Sequence, residues 1–542
     1  MNKTEKIICL LLGGVLAWYI FTQKNSAPTA AEPENAPEAA IQQEATPAPA
    51  PTEPAAPVAE APKKVVPSIP EEIAVLENDS VKLELTSWGA AVKRITLKDY
   101  AANEGKVSEE NPAVVLDYSD SPMGAGETIE AFKLVDKTDT SVTFVDGAKK
   151  RVIALKDNYR IEFTDEGIGG SVSVGSMKMG FSKNDLLSVD SWAMDAGKGK
   201  EGVIHHSDDD SPLKAYLVGG LTGGCSGSKS AEGMSERTLV PFPGAQKWVA
   251  LKNRFFVTAF VEGNQPNAGF ESTIVRDTQS AAYRPYSIEA RIKFVGDAAK
   301  RTFTFYAGPK KQALLWDLGM KDVMEFGMWR WLCYPLVWVL NFFNDLIPNY
   351  GIAIILLTIL VRILFWPLTH KSTVGMKKMQ EIQPKMKELQ AKFKDNPQRL
   401  QQETWALYRA EKVNPMSSCL PMLIQIPVFI ALFNVLRSAV ELRYAPFLWI
   451  GDLSEPEALF ASWFPFGGLN ILPILMAVTT ALQSAFTPSA GDKSQQKMMM
   501  VFMPIMMLVM FYSFPSALSL YWFLSNLFSI AQMAIIRRQT KK

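Results

Sequence analysis

The sequence has few of the residues that build disulfide-linked or metal-held folds. Only four cysteines and three histidines occur in 542 residues. The cysteines form no CxxC pair and show no ligand spacing, so neither a disulfide framework nor a zinc site is expected. His205 and His206 precede Asp208–Asp210, a pattern that is more typical of a solvated acidic turn than of a metal site. We therefore predict no metal site and no cofactor.

Motifs for phosphate binding and catalysis are also missing. Gly219–Gly227 is glycine-rich but lacks the GxxxxGK[ST] pattern of a phosphate-binding loop. No nucleophile and base stand together in the polar part of the chain. The net charge of +1 gives no indication of a nucleic-acid partner. We predict that the chain is not an enzyme, has no catalytic residues and does not recognise nucleic-acid sequence.

Long apolar runs, in contrast, occur at the N-terminus and after Met324. Ile7–Phe21 follows two lysines that favour a cytoplasmic N-terminus. Both a cleaved signal peptide and a retained membrane anchor, residues 1–24, fit this run. Residues 25–70 are rich in Ala, Pro and Glu and poor in aromatic residues, which predicts a disordered linker.

Between residues 71 and 311 the hydrophobic period changes to two. Val81–Leu85, Tyr159–Phe163 and Ile288–Phe294 alternate apolar with polar residues, and Gly-containing turns separate such runs. This alternation predicts a mainly antiparallel β domain, residues 71–320, built as a sandwich. Because it follows a membrane segment with a cytoplasmic N-terminus, it is expected outside the cytoplasm. The linker and a later amphipathic helix are expected to isolate it from the membrane spans.

Gly351–Thr369 is apolar almost throughout and long enough to cross a bilayer as a helix. It contains Arg362, and an arginine at the centre of a membrane helix costs roughly 2.5–3.5 kcal/mol on insertion scales. Thr358 lies one turn before Arg362 on the same helical face. Arg362 either extends to the nearby membrane surface or faces a wet cavity inside a helix bundle.

The rest of the chain alternates spans with polar loops, and the basic loops follow the positive-inside rule. The predicted segments are an amphipathic interfacial helix (325–348), a second span (350–369), a cytoplasmic hairpin (371–414), a third span (418–440), an external loop (441–470), a fourth span (471–487), a cytoplasmic loop (488–498), a fifth span (499–514), a sixth span (518–536) and a basic tail (537–542).

The hairpin prediction comes from an apolar seam and a helix start. Met379, Ile382, Met386, Leu389 and Phe393 have the spacing of a coiled-coil seam. An asparagine followed by proline, at positions 396 and 397, marks the start of a second helix. Two interpretations remain open: a solvated charged hairpin, or a docking surface for substrate, ribosome or lipid.

Polar residues in the late spans supply the cavity that Arg362 needs. Two helix faces and one earlier span carry them: Thr480, Gln483 and Ser484; Ser525 and Asn526; and Gln425. Such residues commonly only join helices. Several of them converging with an arginine favour a hydrophilic interior.

Three stretches resemble one known family. Asn414–Pro427 resembles an NPxxxCxPxxIQxP signature, Val361-Arg362 with Pro367-Leu368 matches an arginine-bearing span, and Leu520–Trp522 with Ser525-Asn526 resembles a last span. This is similar to the YidC/Oxa/Alb membrane protein insertases, in the Gram-negative form with a large periplasmic domain. Ser417-Ser418 and Ala517 stand where relatives often have glycine, and Gln483 lies about one residue from the expected groove glutamine.

The resemblance implies an α-helical polytopic membrane bundle of six spans, five forming the core, with a periplasmic all-β supersandwich and a cytoplasmic helical hairpin. It implies that residues 1–24 stay as an anchor and that Arg362 lines a hydrophilic groove. Thr358 and Trp522 align with positions implicated in substrate contact. The implied substrate groove comprises Arg362, Thr358, Gln425, Thr480, Gln483, Ser484, Trp522, Ser525 and Asn526.

The function implied is insertion, folding and assembly of membrane proteins in the bacterial inner membrane, alone or with the Sec translocon. Expected partners are nascent membrane proteins, the Sec translocon, the ribosome or signal recognition machinery, and membrane lipids. Both termini are expected in the cytoplasm and the large domain in the periplasm. A solute transporter or channel, and a membrane-anchored carbohydrate-binding β domain, are the alternatives.

Overall fold

The computed structural model describes most of the chain after residue 66. The described residues are 67, 69–102, 107–109, 111–178, 202–207, 214–217, 237–276, 285–296, 299–324, 326–394, 396–411, 413, 420–460, 468–486, 493–512 and 514–539. They belong to the second of two compact units, Ala61–Lys542. The predicted anchor, almost all of the linker, the glycine-rich stretch 219–227 and the signature residues 414–419 lie outside the described residues.

The first half of the described chain is made of β-strands, as the period of two predicts. The strands are β1 (Ile73–Glu77), β2 (Val81–Thr86), β3 (Ala91–Ala101), β4 (Ala113–Asp117), β5 (Lys133–Lys137), β6 (Ser141–Asp146), β7 (Lys149–Leu155), β8 (Arg160–Glu166), β9 (Val172–Lys178), β10 (Gly202–Ser207), β11 (Lys214–Leu217), β12 (Arg237–Pro243), β13 (Gln246–Lys252), β14 (Phe256–Val261), β15 (Asn267–Arg276), β16 (Pro285–Phe294) and β17 (Lys300–Pro309).

These strands form three antiparallel sheets. Their orders are β1-β2-β3-β4, β11-β10-β13-β14-β17-β8-β7-β6-β5 and β12-β15-β16-β9. The third sheet packs on β13 and β14 of the long sheet. Strands β2 and β16 contain two of the three predicted alternating runs, and β8 contains all of the third except its first residue, Tyr159, so the prediction of a β domain is confirmed.

A buried ion triad lies in the core of the β domain. Arg151 donates from Nε to Asp165 Oδ1 at 2.5 Å and from Nη2 to Oδ2 at 2.7 Å, and Arg301 Nε donates to the same Oδ2 at 2.9 Å. Arg151 also donates to the carbonyl oxygen of Gly124 at 2.6 Å. The two guanidinium groups therefore share one carboxylate where the strand alternation turns Asp165 inward.

The second half of the described chain is helical. The helices are α1 (Gln312–Asp317), α2 (Arg330–Leu346), α3 (Tyr350–Glu381), α4 (Gln383–Lys392), α5 (Pro397–Ala410), α6 (Leu420–Ser438), α7 (Ile471–Phe486), α8 (Lys493–Phe511) and α9 (Ser516–Gln539). Helix α2 packs against α3 and α6, whereas α9 packs against α3 and α7, and α8 packs against α7. Within the described residues, Tyr350–Gly375 and Ser516–Ile535 are long and apolar enough to cross a membrane. Gln425–Ser438, Ile471–Ala485 and Met500–Phe511 are shorter apolar helical stretches.

The hairpin begins within a continuous helix. Helix α3 runs without a break from Tyr350 to Glu381, through the point at residue 370 where the sequence analysis separates span from hairpin. Asn396 caps α5, and its side chain accepts a hydrogen bond from the Arg399 backbone N at 3.0 Å. Met379, Ile382 and Val413 form a small buried cluster against Tyr408, so the hairpin has a core of its own.

The β domain is docked on the loop that follows α6. Arg443 donates hydrogen bonds to the carbonyl oxygens of Ala101 at 2.6 Å and Ala102 at 3.2 Å, and the Tyr444 hydroxyl donates to Ala102 at 3.1 Å. Arg254, between β13 and β14, reaches into the same loop. The expectation that the linker and the amphipathic helix isolate the β domain from the helices is therefore wrong. Composition along the chain does not report contacts between residues that are hundreds of positions apart.

Candidate functional site

Arg362 lies in the first half of α3, on a helix whose other residues at this level are apolar. Its side chain is half-buried between the helices. The Tyr521 hydroxyl of α9 lies within electrostatic range of the guanidinium. Among the side chains that the structure describes, no carboxylate pairs with Arg362. The guanidinium therefore keeps its positive charge close to a polar, non-ionic group.

Tyr521 links this arginine to α6. Gln425 donates from Nε2 to the Tyr521 hydroxyl oxygen at 3.1 Å. Tyr521 is almost completely buried, and Gln425 is half-buried. The Gln425 donor occupies one acceptor position of the phenol, and the Tyr521 hydroxyl also interacts with the Ser525 side chain. The structure thus brings two predicted site residues, Arg362 and Gln425, to one tyrosine.

The next turn of α9 contacts α7. Asn526 donates from Nδ2 to Thr480 Oγ1 at 2.8 Å and to Thr479 Oγ1 at 3.3 Å. Thr480 in turn donates to the carbonyl oxygen of Met476 at 2.8 Å. Two predicted residues on different spans, Thr480 and Asn526, therefore hydrogen-bond to each other, as polar residues between membrane helices commonly do.

The polar stripe of α9 continues to the far end of α3. Gln532 donates from Nε2 to Thr369 Oγ1 at 3.0 Å, and Ser529 donates to the carbonyl oxygen of Ser525 at 3.0 Å. The Ser525 hydroxyl is buried and interacts with the Tyr521 hydroxyl on the same helix.

Two residues that the resemblance places in the groove have other packing partners in this structure. Thr358 is fully buried and donates to the carbonyl oxygen of Ile354 at 2.7 Å, within its own helix. Trp522 lies in an aromatic cluster, with its ring centroid 4.9 Å from that of Phe429 and 5.4 Å from that of Phe511. In this conformation Trp522 therefore contributes an apolar wall.

Gln483 and Ser484 are half-buried on α7, one turn beyond Thr480. Tyr521 and Thr479 are not among the predicted site residues. Tyr521 stood in the motif Leu520–Trp522, where its hydroxyl in an apolar span was a usable signal. Thr479 was harder to predict as a site residue. It is adjacent to Thr480 in the sequence, and the sequence alone does not indicate which helical face of two neighbouring threonines points into a site.

The arrangement offers hydrogen-bond donors and one positive charge inside an apolar helix bundle. Arg362, the Tyr521 hydroxyl and the Ser525 hydroxyl all donate, so the site can stabilise a polar or anionic group. Within the described residues, no group of His, Cys, Asp or Glu side chains could hold a metal ion. The chemistry available here is binding by charge and hydrogen bonds.

Two family models match this chain. The model described as 60Kd inner membrane protein matches residues 342–542, which contain α3 to α9. The model described as YidC periplasmic domain matches residues 224–339. The second match includes β12 to β17 and ends within α2, and the first match begins within the same helix.

Two curated relatives are both named membrane protein insertase YidC. The one from Chloroherpeton thalassium is 32% identical over 494 residues, covering 86% of this chain and 83% of the relative. The one from Syntrophobacter fumaroxidans is 42% identical over 311 residues, and this alignment spans about half of each protein, 56% of either length. A solved structure titled as an active YidC insertase with the first transmembrane domain resolved is 19% identical, with a TM-score of 0.36 over 86% of this chain and 93% of that one.

Proposed function

Because this chain belongs to the YidC family of membrane protein insertases, we propose that it inserts, folds and assembles integral membrane proteins through a hydrophilic groove lined by Arg362. Its substrates are nascent membrane proteins. The protein acts without covalent chemistry. It lowers the free-energy cost of moving a polar flank of the substrate through the apolar layer of the membrane, where every unpaired polar group costs several kcal/mol.

The observation that carries this proposal is the position of Arg362. A half-buried guanidinium lies within electrostatic range of a tyrosine hydroxyl, with no described carboxylate to neutralise it, on the more apolar of the two long apolar helices among the described residues. An intramembrane charge without a partner of opposite sign is costly unless it interacts with water or a substrate. The hydroxyls of Tyr521 and Ser525 interact with each other and add hydrogen-bonding capacity for the same polar group.

We propose the following membrane topology and partners. The chain resides in the inner membrane with six spans, counting residues 1–24, and both termini are in the cytoplasm. The hairpin of α4 and α5 is cytoplasmic, α2 lies on the outer membrane surface, and the β domain is periplasmic. The distribution of Lys and Arg supports this orientation. The Sec translocon, the ribosome or signal recognition machinery, and lipids are the further partners.

The test is reconstitution. The purified full-length chain is placed in liposomes with a single-span substrate, and the fraction of substrate that becomes protease-protected is measured against empty liposomes. We expect the protein to increase this fraction. If correctly folded wild-type protein and correctly folded Arg362→Lys both leave the protease-protected fraction equal to that of empty liposomes, insertase function is contradicted. Flux of small solutes through the same liposomes would instead indicate a transporter.

A further inference from the structure

A short apolar turn projects from the loop between α6 and α7. Phe447 and Ile450 pair as an isolated β-bridge, and each backbone N donates to the other's carbonyl oxygen at 2.9 Å. Leu448 and Trp449 form the tip and are 76% and 43% exposed. No charged residue occurs between Tyr444 and Gly451. The tip is thus a pair of large apolar side chains held out from a closed, uncharged turn.

The turn is fixed to the first residues of α3. Phe447 packs directly on Gly351, so closely that a Cβ at position 351 would lie 2.1 Å from the Phe447 ring. Below the turn, Ile450 and Leu453 are buried. The tip therefore stays at the level where α3 begins, and α3 contains the long apolar stretch Tyr350–Gly375.

The turn is also connected to the start of α7. The Trp449 side chain interacts with the Glu457 carboxylate. That carboxylate accepts hydrogen bonds from the backbone N atoms of Ile471 and Leu472, the first two residues of α7. Because α3 and α7 both begin beside this turn, the tip lies at one end of two apolar helices.

Exposed apolar surface continues from the tip in both directions. Ile474, Val478 and Leu482 form an exposed stripe along α7 that starts in its first turn. On α2, which ends just before α3, Trp338 and Phe342 are exposed. Trp449 has its polar edge toward Glu457 and the rest of its ring partly exposed, which is the arrangement of tryptophans at membrane–water boundaries.

The backbone of the tip gives an independent indication. Leu448 has a φ of 54°, in the left-handed region that disfavours a leucine. Glycine would adopt this conformation without strain, but only a large side chain provides an apolar tip. Strained residues of this kind concentrate at functional positions.

We propose that the Leu448–Trp449 turn is a membrane anchor that inserts into the boundary between headgroups and acyl chains, at the bilayer face where α3 and α7 begin. The partner that the turn contacts is lipid. The tip is uncharged, is continuous with the apolar surface of the helices and lies at their ends. The anchor sets the depth of the outer ends of α3 and α7. The proposal concerns lipid contact and does not depend on insertase activity.

The test measures depth with a fluorescent label. Leu448→Cys is made in a full-length chain whose four natural cysteines are replaced, labelled with bimane and reconstituted in nanodiscs containing spin-labelled lipids. We expect strong quenching by a spin label near the headgroup and weaker quenching by one near the bilayer centre. Val135→Cys, on the exposed edge strand β5, is the control for an exposed apolar position and should show no quenching.

A second measurement uses unlabelled protein. Leu448→Gly relieves the strained backbone, so the variant should melt in detergent no lower than wild type. Wild-type protein should melt at a higher temperature in nanodiscs than in detergent. The double variant Leu448→Gly, Trp449→Gln should lose part of this difference. Trp405→Gln, an exposed tryptophan on α5, should keep it. Quenching at position 448 that is no stronger than quenching at position 135 would overturn the proposal. An emission shift of the label at position 448 without quenching would indicate packing against protein and would overturn it as well.

Discussion

Arg254 of the β domain forms a buried ion pair with Glu455 of the loop after α6, with Nη1 2.5 Å from Oε1. The same guanidinium donates from Nε to the carbonyl oxygen of Arg437 at 2.7 Å and from Nη2 to that of Ser454 at 2.6 Å. Glu455 is bonded in turn to α9, because its carbonyl oxygen accepts from the backbone N of Ser516 at 2.8 Å. One arginine therefore joins the β domain to the ends of two helices that carry site residues.

We expect Arg254→Ala to destabilise the docked protein by about 3 kcal/mol, because it leaves a partly buried carboxylate and two carbonyl oxygens unpaired. Thermal unfolding in nanodiscs measures the loss, and hydrogen exchange should increase in residues 452–455. Arg94→Ala is the matched control, because Arg94 forms only exposed ion pairs with Glu84 and Asp117 and should cost less than about 1 kcal/mol. Equal losses in both variants would argue against docking through Arg254.

The Gln425–Tyr521 hydrogen bond should show as a coupling energy between α6 and α9. In a double-mutant cycle of Gln425→Leu and Tyr521→Phe, we expect about 0.6 kcal/mol, the average for hydrogen bonds between membrane helices. Reversible unfolding in detergent provides the free energies. Gln532→Leu with Tyr521→Phe is the control pair, since Gln532 bonds to Thr369 instead and the two effects should add. A coupling of zero for the first pair would contradict the contact.

The charge of Arg362 should matter most for substrates with acidic tails. Arg362→Ala should reduce insertion of a single-span substrate with an aspartate in its tail more than insertion of the same substrate with asparagine, because the guanidinium attracts the carboxylate in a low-dielectric groove. Arg362→Lys should keep much of the activity, since the charge remains and only the fork geometry is lost. If Arg362→Ala affects both substrates equally, charge attraction is not its role.

The half-buried Glu441 should make stability depend on pH. Burial raises the pKa of the Glu441 carboxyl, and the charge of Lys311 only partly offsets this. A raised carboxyl pKa means that its stabilising effect is present below the ordinary value, about 4.3, and is lost as the pH rises through the folded-state pKa. Glu441→Gln should therefore unfold at a higher temperature than wild type at pH 7, and the difference should disappear near pH 4.

Glu77 provides the control of opposite sign for that experiment. The hydrogen bond and charge of Lys98 lower the pKa of Glu77. Its stabilising effect is thus present at neutral pH and lost as the pH falls, so Glu77→Gln should not stabilise the protein at pH 7. A Glu441→Gln variant that is less stable than wild type at pH 7 would show that the ionised carboxylate is favourable there.

The orientation in the membrane can be tested with single cysteines. Gln390 is exposed on α4, which we propose to be cytoplasmic, and Val135 is exposed in the β domain. An impermeant thiol reagent should label Val135→Cys in intact cells and should label Gln390→Cys only after the inner membrane is permeabilised. Labelling of Gln390→Cys in intact cells would reverse the assignment.

Several features follow from the sequence alone because they depend on neighbours along the chain. The period of two predicted strands β2, β8 and β16, since alternate residues of a strand point to one face. The cap at Asn396 followed by proline predicted the start of α5, since capping is a local interaction. The long apolar run around Arg362 predicted a helix that could span a bilayer, by length and composition.

Only the tertiary structure decided which polar groups meet. Gln425 and Tyr521 are 96 residues apart, and Arg254 and Glu455 are 201 apart, so no period or local spacing reports their contact. The same limit applies to Thr358, which shares a helical face with Arg362 yet is fully buried, because packing by neighbouring helices covers part of that face. The polar residues that could line a groove can be identified from the sequence, but the packing between helices determines which of them lie near Arg362.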